Sequence, residues 1–181
     1  MPTSNRKEQT EIKLRNALIE LLKQKTFDKI TTTELVSLAK ISRSGFYTHY
    51  TDIYDMIDSY QKTLFSTIQY VFEKNNADLR STLLEVLEFL DRNEIYAALL
   101  SENASKEIHQ FLRQKLKELL EKTFYDEMDQ NRQQQLGKLG KVYATSYYAH
   151  AIFGLIQTWI LRKRKESPAQ IADLLVALIG R

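Results

Sequence analysis

Residues 30–54 read ITTTELVSLAKISRSGFYTHYTDIY: two short helical segments joined by a tight turn, then the opening of a third. Thr31 and Glu34 stand at T-x-x-E spacing. In such a capping box the hydroxyl and the carboxylate satisfy each other's backbone N–H groups, so the spacing predicts a helix from 31 to about 40. Leu35, Leu38 and Ala39 fall on one side of it. Ser42 is placed to cap a second helix over about 43–50, which presents Arg43, Ser44, Gly45, Tyr47, Thr48 and His49, while Phe46 and Tyr50 belong to the core beneath. A short helix carrying hydroxyls, a phenol, an imidazole and a guanidinium suits a polyanion. This is the helix-turn-helix arrangement, whose second helix enters the major groove of DNA.

The same stretch carries a family likeness. An amphipathic helix over 10–25 is followed by Phe27, Ile30-Thr31, Glu34-Leu35, Ala39, Ile41-Ser42-Arg43 and Phe46-Tyr47-x-His49-Tyr50. At that spacing the chain resembles the amino-terminal domain of the TetR family of transcriptional regulators. Two positions depart from the family pattern. The Ser44-Gly45 pair is displaced by one, and Ile53 stands where a phosphate-supporting lysine is common. The resemblance implies that Tyr47 and His49 hydrogen-bond phosphates, that the last helices form a homodimer and that the downstream helices enclose a small-molecule pocket. The residues themselves add further expectations. Arg43 either reads guanine O6 and N7 or holds a phosphate. Ser44 or Thr48 donates to bases or phosphates, and Gly45 lets the backbone approach a base edge. Thr31 and Thr32, at a helix start, add phosphate contacts beside exposed N–H groups.

With 181 residues, 43% apolar and 27% charged, the chain has enough material for one large or two small domains of a water-soluble protein. No apolar run approaches the roughly 20 residues that span a bilayer, and residues 1–13 are too polar for a signal peptide. The absence of cysteine excludes disulfides, thiolate metal sites and a cysteine nucleophile, and fits a cytoplasmic protein. Net charge is +3 overall but unevenly spread. Residues 1–50 hold nine basic against five acidic residues, residues 51–130 nine against sixteen, and residues 131–181 eight against two. The basic amino-terminal end coincides with the helix-turn-helix, as phosphate binding requires. The run Arg162-Lys163-Arg164-Lys165 reads as a solvated helix end favoured by the macrodipole, with a second DNA contact as the alternative.

Downstream periodicity is helical throughout, and five glycines with two prolines favour long helices. Residues 1–5 are expected to form a loose arm. Leu14, Leu18, Leu21 and Leu22 form a stripe over Phe27. Thr51 is expected to cap a helix over about 52–72 with Met56, Ile57, Tyr60, Leu64, Ile68 and Phe72 inside, ending at 75–77. Further stripes run through Leu79 to Leu90, Ile95 to Leu100 and Ile108 to Leu120. A turn is expected over 126–135, then a long apolar helix over 143–161, then a restart at Ser167-Pro168. The expected fold is all-α with about nine helices: a helix-turn-helix DNA-binding domain over 1–52 and a helical ligand-binding and dimerisation domain over 53–181.

The helix over 144–161 is apolar on more than one face and must be buried on two sides. Ala151, Gly154, Leu155 and Thr158, with Leu175, Leu178 and Ile179 of the last helix, are the expected dimer interface, half of an intermolecular four-helix bundle. The segment 147–179 also resembles the carboxyl-terminal domains of a subgroup that includes the activator of dihydroxyacetone kinase operons. Tyr96, Phe111, Phe124, Tyr143, Tyr147, His150 and Trp159 offer aromatic walls for an effector pocket, and each is equally a core residue by type. His109 and His150 have no partner at metal-ligand spacing, and no metal or cofactor is expected. Neither a glycine-rich phosphate loop, H-E-x-x-H nor G-x-S-x-G occurs, so an enzyme is not expected. The expected partners are a double-stranded inverted-repeat operator, a second copy of the chain and a small-molecule effector. A helical regulator controlled by a partner protein, acting as an activator, is the alternative.

Overall fold

The computed structural model describes residues 2–75, 78–123 and 130–179, with side chains placed at 6–75, 78–121, 137 and 139–179. Every regular element among these residues is helical. The first helix, α1 (Pro2–Gln24), starts where a loose arm was expected. Proline at the first helical position loses no hydrogen bond and arrives with φ already set. Leu14, Leu18, Leu21 and Leu22 are buried along it, and Phe27 is buried in the single 3₁₀ turn Phe27–Lys29 that follows.

Next comes α2 (Thr32–Ala39), capped by the box foreseen at Thr31 and Glu34. It buries Leu35, Val36 and Ala39, whereas Leu38 remains 48% exposed and belongs to the outer face. Its carboxyl end is closed by Lys40 in the left-handed region (φ 55°), with Lys40 N–H on Ser37 O and Ile41 N–H on Val36 O. This is a Schellman closure built without its usual glycine. α3 (Arg43–Tyr47) follows after three residues. The long α4 (Ile53–Lys74) is capped by Asp52, not Thr51: Asp52 Oδ1 accepts Asp55 N–H at 2.8 Å, and Thr51 N–H donates back to Asp55 Oδ2 at 2.9 Å.

The rest of the chain is α5 (Leu79–Arg92), α6 (Glu94–Leu100), α7 (Lys106–Thr123), α8 (Gln130–Leu161) and α9 (Pro168–Ile179). α5 packs on α9, α7 on α8, and α4 on α5 and α7, while α1 packs on α2 and α6. Of the turn expected over 126–135, residues 126–129 lie outside the described residues and 130–135 are helical. The break comes instead at Gly137, whose φ 60° and ψ −168° suit only a residue without Cβ. α9 begins as foreseen, with Ser167 Oγ accepting Gln170 N–H at 3.3 Å and Gln170 Oε1 accepting Ser167 N–H at 2.8 Å. Between α8 and α9 the basic run is tied down. Trp159 Nε1–H donates to Glu166 O at 2.8 Å, Arg162 pairs with Glu166, and Arg164 donates to Asp91 O at 2.9 Å.

Candidate nucleic-acid interface

Ser42 Oγ accepts Gly45 N–H at 3.0 Å and so starts α3. Phe46 is fully buried and serves as its anchor, with the rings of Tyr47 and Tyr50 at 5.5 and 5.8 Å. Fixing one face of so short a helix leaves Arg43, Ser44, Tyr47 and Thr48 exposed on the other. Arg43 donates from Nη2 to Tyr47 Oη at 3.4 Å, which holds guanidinium and phenol side by side. Thr48 Oγ1 donates to Gly45 O at 2.7 Å. A phosphate only accepts, so Thr48 must give up that bond to serve it.

Three of the expected contact residues also have partners inside the chain. Gly45 is half-buried, and a Cβ there would lie 3.0 Å from Ile41 Cγ2 and 3.1 Å from Ser42 Oγ. A side chain there would press on Ile41 and Ser42, so its smallness also suits the turn inside the chain. The His49 side chain is only 8% exposed, with Nδ1 at 3.3 Å from Glu11 Oε1. A carboxylate accepts, so Nδ1 carries the proton, and His49 ties the end of the reading segment to α1. Thr31 Oγ1 both accepts Glu34 N–H and donates to Glu34 Oε2, so its hydroxyl is committed to the cap. What remains for an anion there are the N–H groups of Thr32 and Thr33, which have no carbonyl one turn back. Glu34 is held near pKa 2, first by Lys25 and then by the Thr31 N–H and hydroxyl. The Lys25 ammonium offsets this carboxylate at the start of α2. Ile53, where the family often has lysine, is buried at the start of α4.

Of the expected pocket aromatics, Phe124 lies outside the described residues, and the other six are scattered. Tyr96 and Trp159 are core residues, Tyr143 and Tyr147 are about 70% exposed, His150 is exposed, and Phe111 lies at the surface between α7 and α4. None lines the apolar cavity of about 60 Å³ between α4, α5, α7 and α8. Its walls are Leu64, Phe72, Leu83, Leu90, Leu120 and Ile156, among others, with Lys115 as the one charged residue among the described residues. The missed signal was the aliphatic stripes themselves.

On the last two helices the outer face is Tyr143, Tyr147, His150, Gly154, Thr158 and Leu161 of α8, at steps of four, three, four, four and three, with Leu174 and Leu178 of α9. Ala151 and Leu155 flank this stripe and are half-buried. Leu175 and Ile179, expected at a dimer interface, are instead buried within the chain, on the side of α9 that packs on α5. Alternation along α9 puts one neighbour inward for each one outward.

A model described as the carboxyl-terminal region of a transcriptional regulator, of the TetR type, matches residues 77–181, more than half of the chain. The fold and this match define a transcriptional regulator, and the chain belongs to the TetR family. Solved structures share the fold across the whole length. A TetR transcriptional regulator from Streptococcus agalactiae is 18% identical over 100% of this chain and 99% of its own, with a TM-score of 0.64. NalD of Pseudomonas aeruginosa, the secondary repressor of the MexAB-OprM multidrug efflux pump, is 18% identical over 97% and 96%, at 0.71. The dihydroxyacetone kinase operon activator DhaS is 21% identical over 94% and 93%, at 0.59. No curated protein sequence matches. No helix among the described residues is long and apolar enough to cross a membrane.

Proposed function

We propose that the chain binds an inverted-repeat DNA operator as a homodimer in the cytoplasm, with residues 1–52 reading DNA and residues 53–181 regulating and dimerising. The observation that carries this is the two-sidedness of α3, with Phe46 locked in the core beneath the exposed Arg43, Ser44, Tyr47 and Thr48. Arg43 reads a guanine edge, Tyr47 and the N–H groups of Thr32 and Thr33 hold phosphates, and His49 positions the segment through Glu11. The stripe from Tyr143 to Leu161 with Leu174 and Leu178 meets its symmetry mate, which sets two α3 helices about 34–36 Å apart in successive major grooves. A footprint on an inverted repeat upstream of the chain's own gene, lost in Arg43→Ala, tests this reading.

The apolar cavity is the proposed effector site. At about 60 Å³ it admits only a small apolar ligand without opening. That small volume favours a second reading, in which a partner protein regulates the dimer, as an activator or otherwise. Titration of the operator complex with small apolar molecules, and separately with candidate partner proteins, distinguishes the two.

A further inference from the structure

A second site lies where the 3₁₀ turn, α4 and α7 meet, away from both the apolar cavity and α3. It is a groove of about 350 Å³, within the usual range for small-molecule sites. Its aromatic walls are Phe27, Tyr54 and Phe111, with the Phe27 and Tyr54 rings edge-to-face at 5.2 Å. Three carboxylates border it, Asp28, Asp58 and Glu107, and no lysine, arginine or histidine among the described residues lines it. Glu107 is engaged by its own backbone N–H and the Ser105 hydroxyl. Among the described residues, Asp28 and Asp58 have no salt-bridge partner.

Gln61 also lines this groove. It is only 8% exposed, yet its amide makes no hydrogen bond among the described residues. Its amide atoms are not among the fully enclosed unpaired ones, so the amide opens onto the groove with two donors and an acceptor oxygen free for whatever fills it. A bare metal ion does not fit, because no group of three metal-ligating side chains comes together among the described residues. Aromatic faces attract a cation, unpaired carboxylates supply the countercharge, and the Gln61 carbonyl accepts from an N–H donor. We infer that this groove binds a small protonated organic amine with an apolar body, its ammonium between Asp58 and the Gln61 amide and its body on the aromatic walls.

The position gives occupancy a consequence. Phe27 N–H donates to Asn103 O at 2.8 Å, and Asn103 Nδ2–H donates to Leu22 O at 2.7 Å, so the groove adjoins the stitch between α1 and the loop before α7. A bound amine, with its ammonium on Asp58 of α4 and its body against Phe27 and Phe111, would pin the 3₁₀ turn and α7 to α4. That this then sets the pose of α3 on DNA rests on the proposed function; binding of the amine does not.

Calorimetric titration of the full chain with phenethylamine at neutral pH and low salt, without DNA, tests the inference. Expected is saturable binding that weakens by about tenfold or more in Asp58→Asn and in Phe111→Ala, with benzyl alcohol and phenylacetate failing to bind. Both substitutions are at exposed positions, and a melting curve of each variant confirms that it is folded. No binding up to about 10 mM, equal binding of benzyl alcohol, or unchanged affinity in both folded variants would overturn it.

Discussion

Arg43 and Tyr47 are bonded to one another on an exposed face, yet the account gives them different tasks. Arg43→Ala should cost about 1–3 kcal/mol of operator affinity and flatten the preference at one base pair of each half-site. Tyr47→Phe should cost about 1 kcal/mol on every DNA sequence alike. Competition binding against operator and random duplexes reads both, and an equal loss on the two duplexes for Arg43→Ala would move Arg43 to the phosphate backbone. Glu34 makes a separate prediction about acid. Its carboxyl is held from its ordinary 4.5 down to about 2, chiefly by Lys25. A depressed carboxylate pKa stabilises the fold above the unfolded value, and that contribution disappears as pH falls through the window from about 4.5 to about 2. Melting temperature followed across that window should fall less steeply in Glu34→Gln than in the parent, and parallel curves would show that the Lys25 pairing contributes nothing. None of the pairing of Lys25 with Glu34, or of His49 with Glu11, was legible in the sequence, since the partners are 9 and 38 residues apart and no local pattern links them.

Among elements, those with local signals were the legible ones. The T-x-x-E box, the Ser42 cap and the Ser167-Pro168 restart each depend on residues within one turn, and each stands where the spacing placed it. Boundaries set by competition between neighbours were not. Asp52 outcompetes Thr51 as cap because its carboxylate reaches Asp55 N–H while Thr51 supplies the returning N–H. Leu38 is apolar yet faces outward, because Val36 takes the inner position. α3 ends short of the expected span of about 43–50, and Thr48, its cap residue, turns its hydroxyl back to Gly45 O. The join between α2 and α3 offers a test of the backbone. Lys40 adopts φ 55° with a side chain that disfavours it, so Lys40→Gly should stabilise the fold by up to about 1 kcal/mol in urea unfolding. The loss of one cation beside α3 should at the same time weaken DNA binding and reduce its salt dependence. A destabilised Lys40→Gly would mean that the lysine side chain contributes packing there.

On the scale of the molecule, the apolar circumference of α8 announced two buried sides, and the fold accounts for one of them with Ile152, Phe153, Ile156 and Trp159. The stripe from Tyr143 to Leu161 is exposed in the single chain and is the proposed second side. Gly154 lies on it with nothing inside the chain within 4 Å of a built Cβ, so leucine there is accommodated by the single protomer. Gly154→Leu should therefore leave thermal stability at high dilution intact while shifting sedimentation toward monomer, since symmetric overpacking of about 1–3 kcal/mol is suffered twice. A variant that stays fully dimeric would put the interface elsewhere. Leu175 and Ile179 could not be assigned from sequence, because period alone does not say which side of a short apolar helix meets its own core. The central claim, that two copies of α3 read one operator, is tested most directly by operator affinity measured against salt with the stoichiometry determined alongside. Two protomers per inverted repeat are expected, with log affinity falling with log salt by about 0.9 for each phosphate neutralised. Binding that is indifferent to salt, or saturates with one protomer per repeat, would contradict it.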